Sequence, residues 1–366
     1  MADVVVIGAG IFGLSVAYAL QRVGATVEVV DAGPVGGGAS GGVVGALCPH
    51  APTRWRPFKQ FQFDALCALP ARIAEIEETS GLSTGYVRSG RLTPLTTARA
   101  RIRAEAEADA AREIWGGAAT FKVLDEIPDA WAGWISPEAA ASGLVHETLS
   151  AHVDPRRYVT ALARCVGSVH SGIEVTGLLA PGEGVETSQG PIRTDRIVVA
   201  AGWQSWDLIQ HLAPDLRGQP VKGQAAVLGC EVEARPLIYT DGFYAIPHGA
   251  GRVAIGSTSE KTFEGASTDA QLDDLIATAR RAVPILAKAP VMERWAGLRP
   301  KPPGREPVVG PLPGRADIWL ATGGFKISFG IAHAVADAVA AKLTGGTLSL
   351  SLPETFDPAH VLKTAR

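Results

Sequence analysis

Val4-Val5-Val6-Ile7-Gly8-Ala9-Gly10-Ile11-Phe12-Gly13 runs directly into a helical pattern, and this opening decides how the rest of the chain is read. Four apolar β-branched residues in a row suit a short strand covered on both faces. The three glycines then do different things. Gly8 permits the tight turn, Gly10 lets backbone approach a pyrophosphate, and Gly13 lets the first helix pack closely on its strand. Leu14, Ala17, Tyr18 and Leu20 carry the helix, and Gly24 fits the residue just past its end. A second strand from Thr26 to Val30 ends in Asp31, at the distance from Gly10 expected of an acid that hydrogen-bonds a ribose hydroxyl; its charge argues against a 2′-phosphate there. A glycine-rich turn in a protein that binds no nucleotide is the competing reading. Strand, glycines, helix, strand and acid in that order favour the dinucleotide site.

At 366 residues the chain exceeds the size at which one core keeps growing, so two domains are expected. Hydrophobic residues make up 46% and mean hydropathy is +0.15, yet no apolar run reaches the ~20 residues that span a bilayer. The apolar start lacks the basic segment of a signal peptide, so cytoplasmic residence is expected. Cys48, Cys67, Cys165 and Cys230 are far apart and form no CxxC pair, which points to free thiols rather than a disulfide framework or a zinc site. A net charge of −3 with no Lys/Arg-rich run gives no electrostatic basis for nucleic-acid binding.

Further along, Gly33 to Gly42 is too glycine-dense for regular structure and reads as a loop wrapped round a ligand. Arg54, Trp55, Arg56 and Lys59 follow, with a cofactor-facing and a solvated reading equally open. Helical patterns cover Phe61 to Glu78 and Thr97 to Trp115, and between them 85–88 and 91–95 read as a short hairpin. Asp154 and Pro155 are an N-cap and first residue of a helix. A strand at Arg196 to Ala200 leads into Ala201-Gly202-Trp203. Antiparallel strands are expected at 221–230, 237–240, 243–247 and 252–256, then a helix from Asp269 to Val283 and an extended stretch from Trp295 to Val309. The last strand, Ile318 to Ala321, passes through Thr322-Gly323-Gly324-Phe325-Lys326 into a helix ending near Leu343.

Together these segments resemble the FAD-dependent oxidoreductases that include D-amino acid oxidase, glycine oxidase and sarcosine oxidase, glycine oxidase being the most similar member. The resemblance covers nearly the whole chain. It rests on the opening glycines with Asp31, on Gly38-Ala39-Ser40-Gly41-Gly42, on Val153-Asp154-Pro155 and on Ile197-Val198-Val199-Ala200-Ala201-Gly202-Trp203. Trp295-Ala296-Gly297-Leu298-Arg299-Pro300 and Ala321-Thr322-Gly323-Gly324 complete it. Each motif alone is common; their order and spacing are specific.

The resemblance implies an α/β fold: a doubly wound Rossmann-like FAD domain with an inserted, mainly antiparallel β substrate-binding domain. The expected division is 1–80, 140–215 and 297–366 for the FAD domain and 81–139 with 216–296 for the other. It implies noncovalent FAD, because none of the four cysteines matches the attachment cysteine of covalent sarcosine oxidases. Gly8, Gly10, Ile11, Phe12, Gly13, Asp31, Ala39, Ser40, Gly41, Gly42, Ala201, Gly202, Gly323, Gly324 and Lys326 would meet the cofactor. Arg299 would grip the substrate carboxylate, which suits its two-pronged donor, and Tyr244 would touch the same group. His248 is open between pocket and loop. Lys326 would face the pyrimidine end of the flavin, although glycine oxidase resembles Gly-His-Phe-Arg-Asn-Gly here and this chain has two extra residues before Gly330.

The implied reaction is oxidation of a small amino acid such as glycine, sarcosine or a D-amino acid by hydride transfer from the α-carbon to flavin N5. The resulting imine hydrolyses, and O₂ or another carrier reoxidises the flavin. A dehydrogenase passing electrons to a quinone, a 2-hydroxy acid oxidoreductase, a nicotinamide-dependent dehydrogenase and a non-catalytic binding protein are the alternatives. Whether the chain forms a homo-oligomer is left open.

Overall fold

The computed structural model describes residues 2–364. Val4–Ile7 is fully buried and lies between two parallel partners, Val27–Asp31 on one side and Ile197–Val199 on the other. Outward from these lie Val169–Ser171 beyond Val27–Asp31, and Arg315–Thr322 then Val308–Leu312 beyond Ile197–Val199. Only the edge strand Val308–Leu312 runs antiparallel in this six-stranded sheet. The first helix, Ile11–Arg22, buries every residue from Ile11 to Leu20. It can do so because it packs against Ser328–Thr344 and Pro155–Val166. Ser328–Thr344 is alanine-rich, so the helices approach closely, and it ends at Gly345 with φ +73°. Asp154 caps Pro155–Val166 as expected, accepting from the amides of Arg156 and Arg157 at 3.2 Å each.

The second large sheet has eight strands, in the order Val291–Lys301, Gln219–Gly229, Arg252–Gly256, Phe243–Gly249, Leu237–Thr240, Arg91–Pro94, Leu144–Glu147 and Phe121–Leu124. Neighbours are antiparallel except Leu237–Thr240 beside Arg91–Pro94. The expected hairpin of 85–88 with 91–95 is absent. Val87 instead exchanges both backbone bonds with His152 at 2.9 Å, and Arg91–Pro94 joins the large sheet. The reason is burial: a lone hairpin would expose Leu92, which here is fully buried in one core with Trp134 and Phe243.

We propose that the two large sheets mark the two domains. On that division the strand Leu144–Glu147 and all of Val291–Lys301 fall on the substrate side, which shifts the expected boundaries near 140 and 297. No helix of the described residues is long and apolar enough to cross a membrane.

Two histidines are buried: His152, which pairs with Val87, and His333 on Ser328–Thr344. Burial pushes both down from 6.5 to about 3. Held neutral when folded and free to protonate when unfolded, they contribute stability present above about pH 6.5 and lost as pH falls toward 3. Tm is therefore expected to fall between pH 7 and pH 4, and His333→Phe to flatten the slope; an unchanged slope would assign the loss to carboxylates.

Candidate active site

One cleft of about 1210 Å³ is lined from both sheets. Its nucleotide-like end is built by the opening turn. Gly8 sits at φ +110°, and a Cβ there would lie 2.5 Å from the Ala200 carbonyl oxygen. Gly13 is required for a different contact: a Cβ there would stand 1.9 Å from the Gly8 oxygen, so the helix could not rest on its strand. Asp31 accepts from the amide of Ala9 at 2.7 Å through one oxygen and from that of Gly33 at 2.7 Å through the other. Its carboxylate thus fixes the turn it follows. Ser40 Oγ accepts from the Ile11 amide at 3.0 Å, tying the glycine loop to the start of the helix.

Gly8, Gly10, Ile11, Phe12, Asp31, Ala39, Ser40 and Gly42 line the cleft, as do Ala201, Gly202, Gly323 and Gly324. Gly13 and Gly41 do not: they act one layer back, where a Cβ on Gly41 would meet the Gly36 oxygen at 2.6 Å. Thr322 donates to the Gly202 carbonyl at 2.8 Å and joins the two turns. Glu174 to Gly177 complete this wall and carry no sequence motif.

At the other end Arg299 projects from Val291–Lys301 across Gly223 of the neighbouring strand. It is only 9% exposed and lines the cleft. Its Nη1 donates to the Thr258 carbonyl at 3.1 Å and its Nη2 to Ser257 Oγ at 2.6 Å, but among the described residues it forms no ion pair. Burial pulls the guanidinium down to about 10, opposed by the more distant charge of Glu260, so it is a cation at neutral pH. The segment that holds it is clamped from behind. Gln224 donates to Glu260 at 2.9 Å and to Asp269 at 2.7 Å, the Gln224 amide donates to Thr258 Oγ1 at 2.8 Å, and fully buried Lys222 reaches Asp269 at 2.5 Å. These bonds fix where Thr258 and Ser257 present their acceptors.

Tyr244 also lines the cleft, from Phe243–Gly249. Burial, with the Cys48 thiol beside it, pushes its hydroxyl well above the usual phenol value. Behind it Arg91 lies 3.3 Å from the fully buried Glu147; burial alone would pull its guanidinium down, but the charge of Glu147, with smaller help from Cys48 and Tyr244, outweighs burial and holds Arg91 above the ordinary arginine range. The Tyr239 ring packs 4.7 Å from that of Tyr244. Lys326 lines the same cleft from the turn ahead of Ser328–Thr344; burial and then the charge of Arg299 push its amine down.

Other expectations resolve differently. Arg54, Arg56 and Lys59 line a second concavity, while Trp55 packs on Phe63, so none of the four faces the cleft. His248 bonds the Val43 carbonyl at 2.9 Å and is not part of the lining. Tyr239, Ser257, His50, Gln62 and Trp295 are lining residues that sequence reasoning passed over. Trp295 lies within one of the family-like segments; the others carry no spacing signal.

The FAD dependent oxidoreductase family model matches residues 3–338, and the chain belongs to that family. It is an FAD-dependent oxidoreductase, and along nearly its whole length it is similar to glycine oxidases. The glycine oxidase of Pseudomonas aeruginosa is 31% identical over 97% of this chain and 98% of its own. That of Pseudomonas putida is 31% identical over 94% of each. In fold, glycine oxidase from Geobacillus kaustophilus superposes with a TM-score of 0.87 at 22% identity, over 97% of this chain and 98% of the other. Iminodiacetate oxidase from Chelativorans sp. BNC1 gives 0.83 at 24% identity, over 97% and 98%.

The residues present fit FAD. The first turn of Ile11–Arg22 holds no acidic side chain, leaving its positive end free for a pyrophosphate, and Gly10 keeps that approach open. The cleft then continues to Arg299, Tyr244 and Lys326 with room for the rest of a dinucleotide.

Proposed function

We propose that this enzyme oxidises the C–N bond of a small α-amino acid, such as glycine, sarcosine or a D-amino acid, with O₂ as acceptor. The observation that carries the reading is Arg299: a buried cation facing the cleft, held in place by neutral acceptors and matched to no carboxylate among the described residues. A buried guanidinium in that state is matched by a ligand carboxylate, which two parallel N–H donors bind at fixed angle.

The glycine turn, Asp31 and Ser40 would hold the dinucleotide portion of FAD, and Gly323 to Lys326 its ring end. When bound, FAD supplies the hydride acceptor. Arg299 orients the substrate so that its α-carbon, rather than its carboxylate, points along the cleft. Tyr244 stays protonated at working pH and donates to the same carboxylate. Lys326 and the N-terminal end of Ser328–Thr344 offer positive charge where electron density arrives. No side-chain base is needed if the amine enters neutral; water then hydrolyses the imine to the 2-oxo acid.

The test is an anaerobic visible spectrum of the holoenzyme with glycine, sarcosine, D- and L-amino acids and 2-hydroxy acids. Bleaching by an amino acid, with colour and peroxide returning in air, supports the proposal. Slow recovery in air would replace O₂ by another carrier, and bleaching only by 2-hydroxy acids would overturn the amine donor.

FAD is expected to be held noncovalently, since Cys48 is the one cysteine among the cleft-lining residues and burial pushes its thiol up, away from the thiolate that would form a bond. Acid precipitation should leave the yellow colour in the supernatant; a yellow pellet would show a covalent bond.

A further inference from the structure

We propose that a second concavity, beside the active cleft, binds a small multivalent anion of the phosphoryl class. Its volume is about 590 Å³, and its charged lining is Arg54, Arg56, Lys59, Arg103 and Arg305 against the single acid Glu306. Arg103 pairs with Glu107 at 3.0 Å, and Glu306 accepts from the Thr355 hydroxyl at 2.5 Å. Arg54, Arg56 and Arg305 form no ion pair or side-chain hydrogen bond among the described residues. The fold itself holds these like charges together. Lys59 Nζ donates to the carbonyls of Ala51, at 2.9 Å, and Thr53, at 2.5 Å, fixing the loop that carries Arg54 at φ +49°.

Crowded cations repel, and the effect is visible at Lys59, whose amine is pushed down by burial and by Arg56 and Arg54. An anion in the concavity would turn that repulsion into attraction. The arginines approach from three parts of the chain: the 51–56 loop, the helix Ala98–Ile114 and the loop before Val308–Leu312. Forked donors converging from several directions suit tetrahedral oxyanions, whose oxygens point several ways, better than one planar carboxylate. The volume matches a small molecule rather than a polymer, and a chain of net charge −3 lacks the wider basic field that a nucleic acid needs.

The site also touches the catalytic cleft. His50 lines both, its ring bonds Gln62, and Gln62 in turn donates to the Cys48 carbonyl at 3.1 Å, behind Tyr244. An occupant would therefore press on one wall of the cleft.

The proposal is independent of the donor assigned above, because its test reads binding and not turnover. FAD-saturated holoenzyme would be titrated calorimetrically with pyrophosphate at constant ionic strength, so that the cofactor's own pyrophosphate site is filled. Saturable one-to-one binding is expected, weakened about tenfold or more, roughly 1.4 kcal/mol or more, in Arg54→Ala/Arg305→Ala. Both side chains are exposed, and an unchanged flavin spectrum and Tm would show the variant folded; if it does not fold, Arg305→Gln alone serves and should also weaken binding. Heat no greater than that of matched chloride, or equal binding by the variant, would overturn the proposal. So would citrate binding as tightly as pyrophosphate, which would make the site one for polycarboxylates, or an acidic peptide binding where pyrophosphate does not.

Discussion

Arg299→Met is expected to raise the KM for the amino acid substrate about a hundredfold or more and to leave the melting temperature of the holoenzyme unchanged or higher. The kinetic loss follows from the bonds removed. Hydrogen bonds to a charged partner contribute roughly 1.5–3 kcal/mol each, two are lost, and every 1.36 kcal/mol is about tenfold. The stability expectation runs the other way because the guanidinium is buried beside neutral acceptors, and its ordinary charge is disfavoured there. The resting protein bears a desolvation cost that no counter-ion in contact offsets. Methionine fills similar space without it. The gain is bounded, since Ser257 and the Thr258 carbonyl lose their donor. Steady-state kinetics and a thermal melt on the same preparation decide the matter: unchanged KM with a lower Tm would make Arg299 a structural cation and sink the carboxylate assignment.

The opening βαβ was legible because its physics is local. Gly8 and Gly13 answer to atoms within a few residues or on the adjacent strand, and Asp31 returns to the turn that precedes it. Arg299 was legible as a type, a forked donor in a recognisable segment, but not the reason it stays in place. That reason is Gly223, together with the Gln224, Glu260 and Lys222 cluster, all on strands or loops that meet Val291–Lys301 only in three dimensions. Arg91–Pro94 failed for the same cause: its neighbour in sequence was a weaker partner than Leu144–Glu147 and Leu237–Thr240. Spacing likewise grouped Arg54, Arg56 and Lys59 near the glycine loop without saying which concavity they would enter. Tyr239 joins the cleft by cross-strand pairing with Tyr244, a register no single segment encodes.

Gly223→Ala is expected to reproduce much of the Arg299→Met kinetic defect without touching any ligand. A Cβ on Gly223 would lie 1.8 Å from Arg299 Nη2 and 2.1 Å from its Cζ. The obstacle is the far end of a flexible side chain, so the chain still folds and Arg299 lifts away. At Gly13, by contrast, the Cβ meets backbone 1.9 Å away, and nothing can move aside. The displaced guanidinium loses Ser257 Oγ and the Thr258 carbonyl and no longer presents both donors in one plane. KM should rise about tenfold or more with a small change in Tm, since misplacing one of two charge-assisted bonds costs on the order of 1.5–3 kcal/mol. The double variant Gly223→Ala/Arg299→Met supplies the decisive comparison. If the glycine acts only by making room for the arginine, its effect vanishes once the arginine is gone, and the pair is strongly non-additive. Additive losses would mean that Gly223 serves the cleft by some other route, and that the position of Arg299 does not depend on the flat surface beneath it.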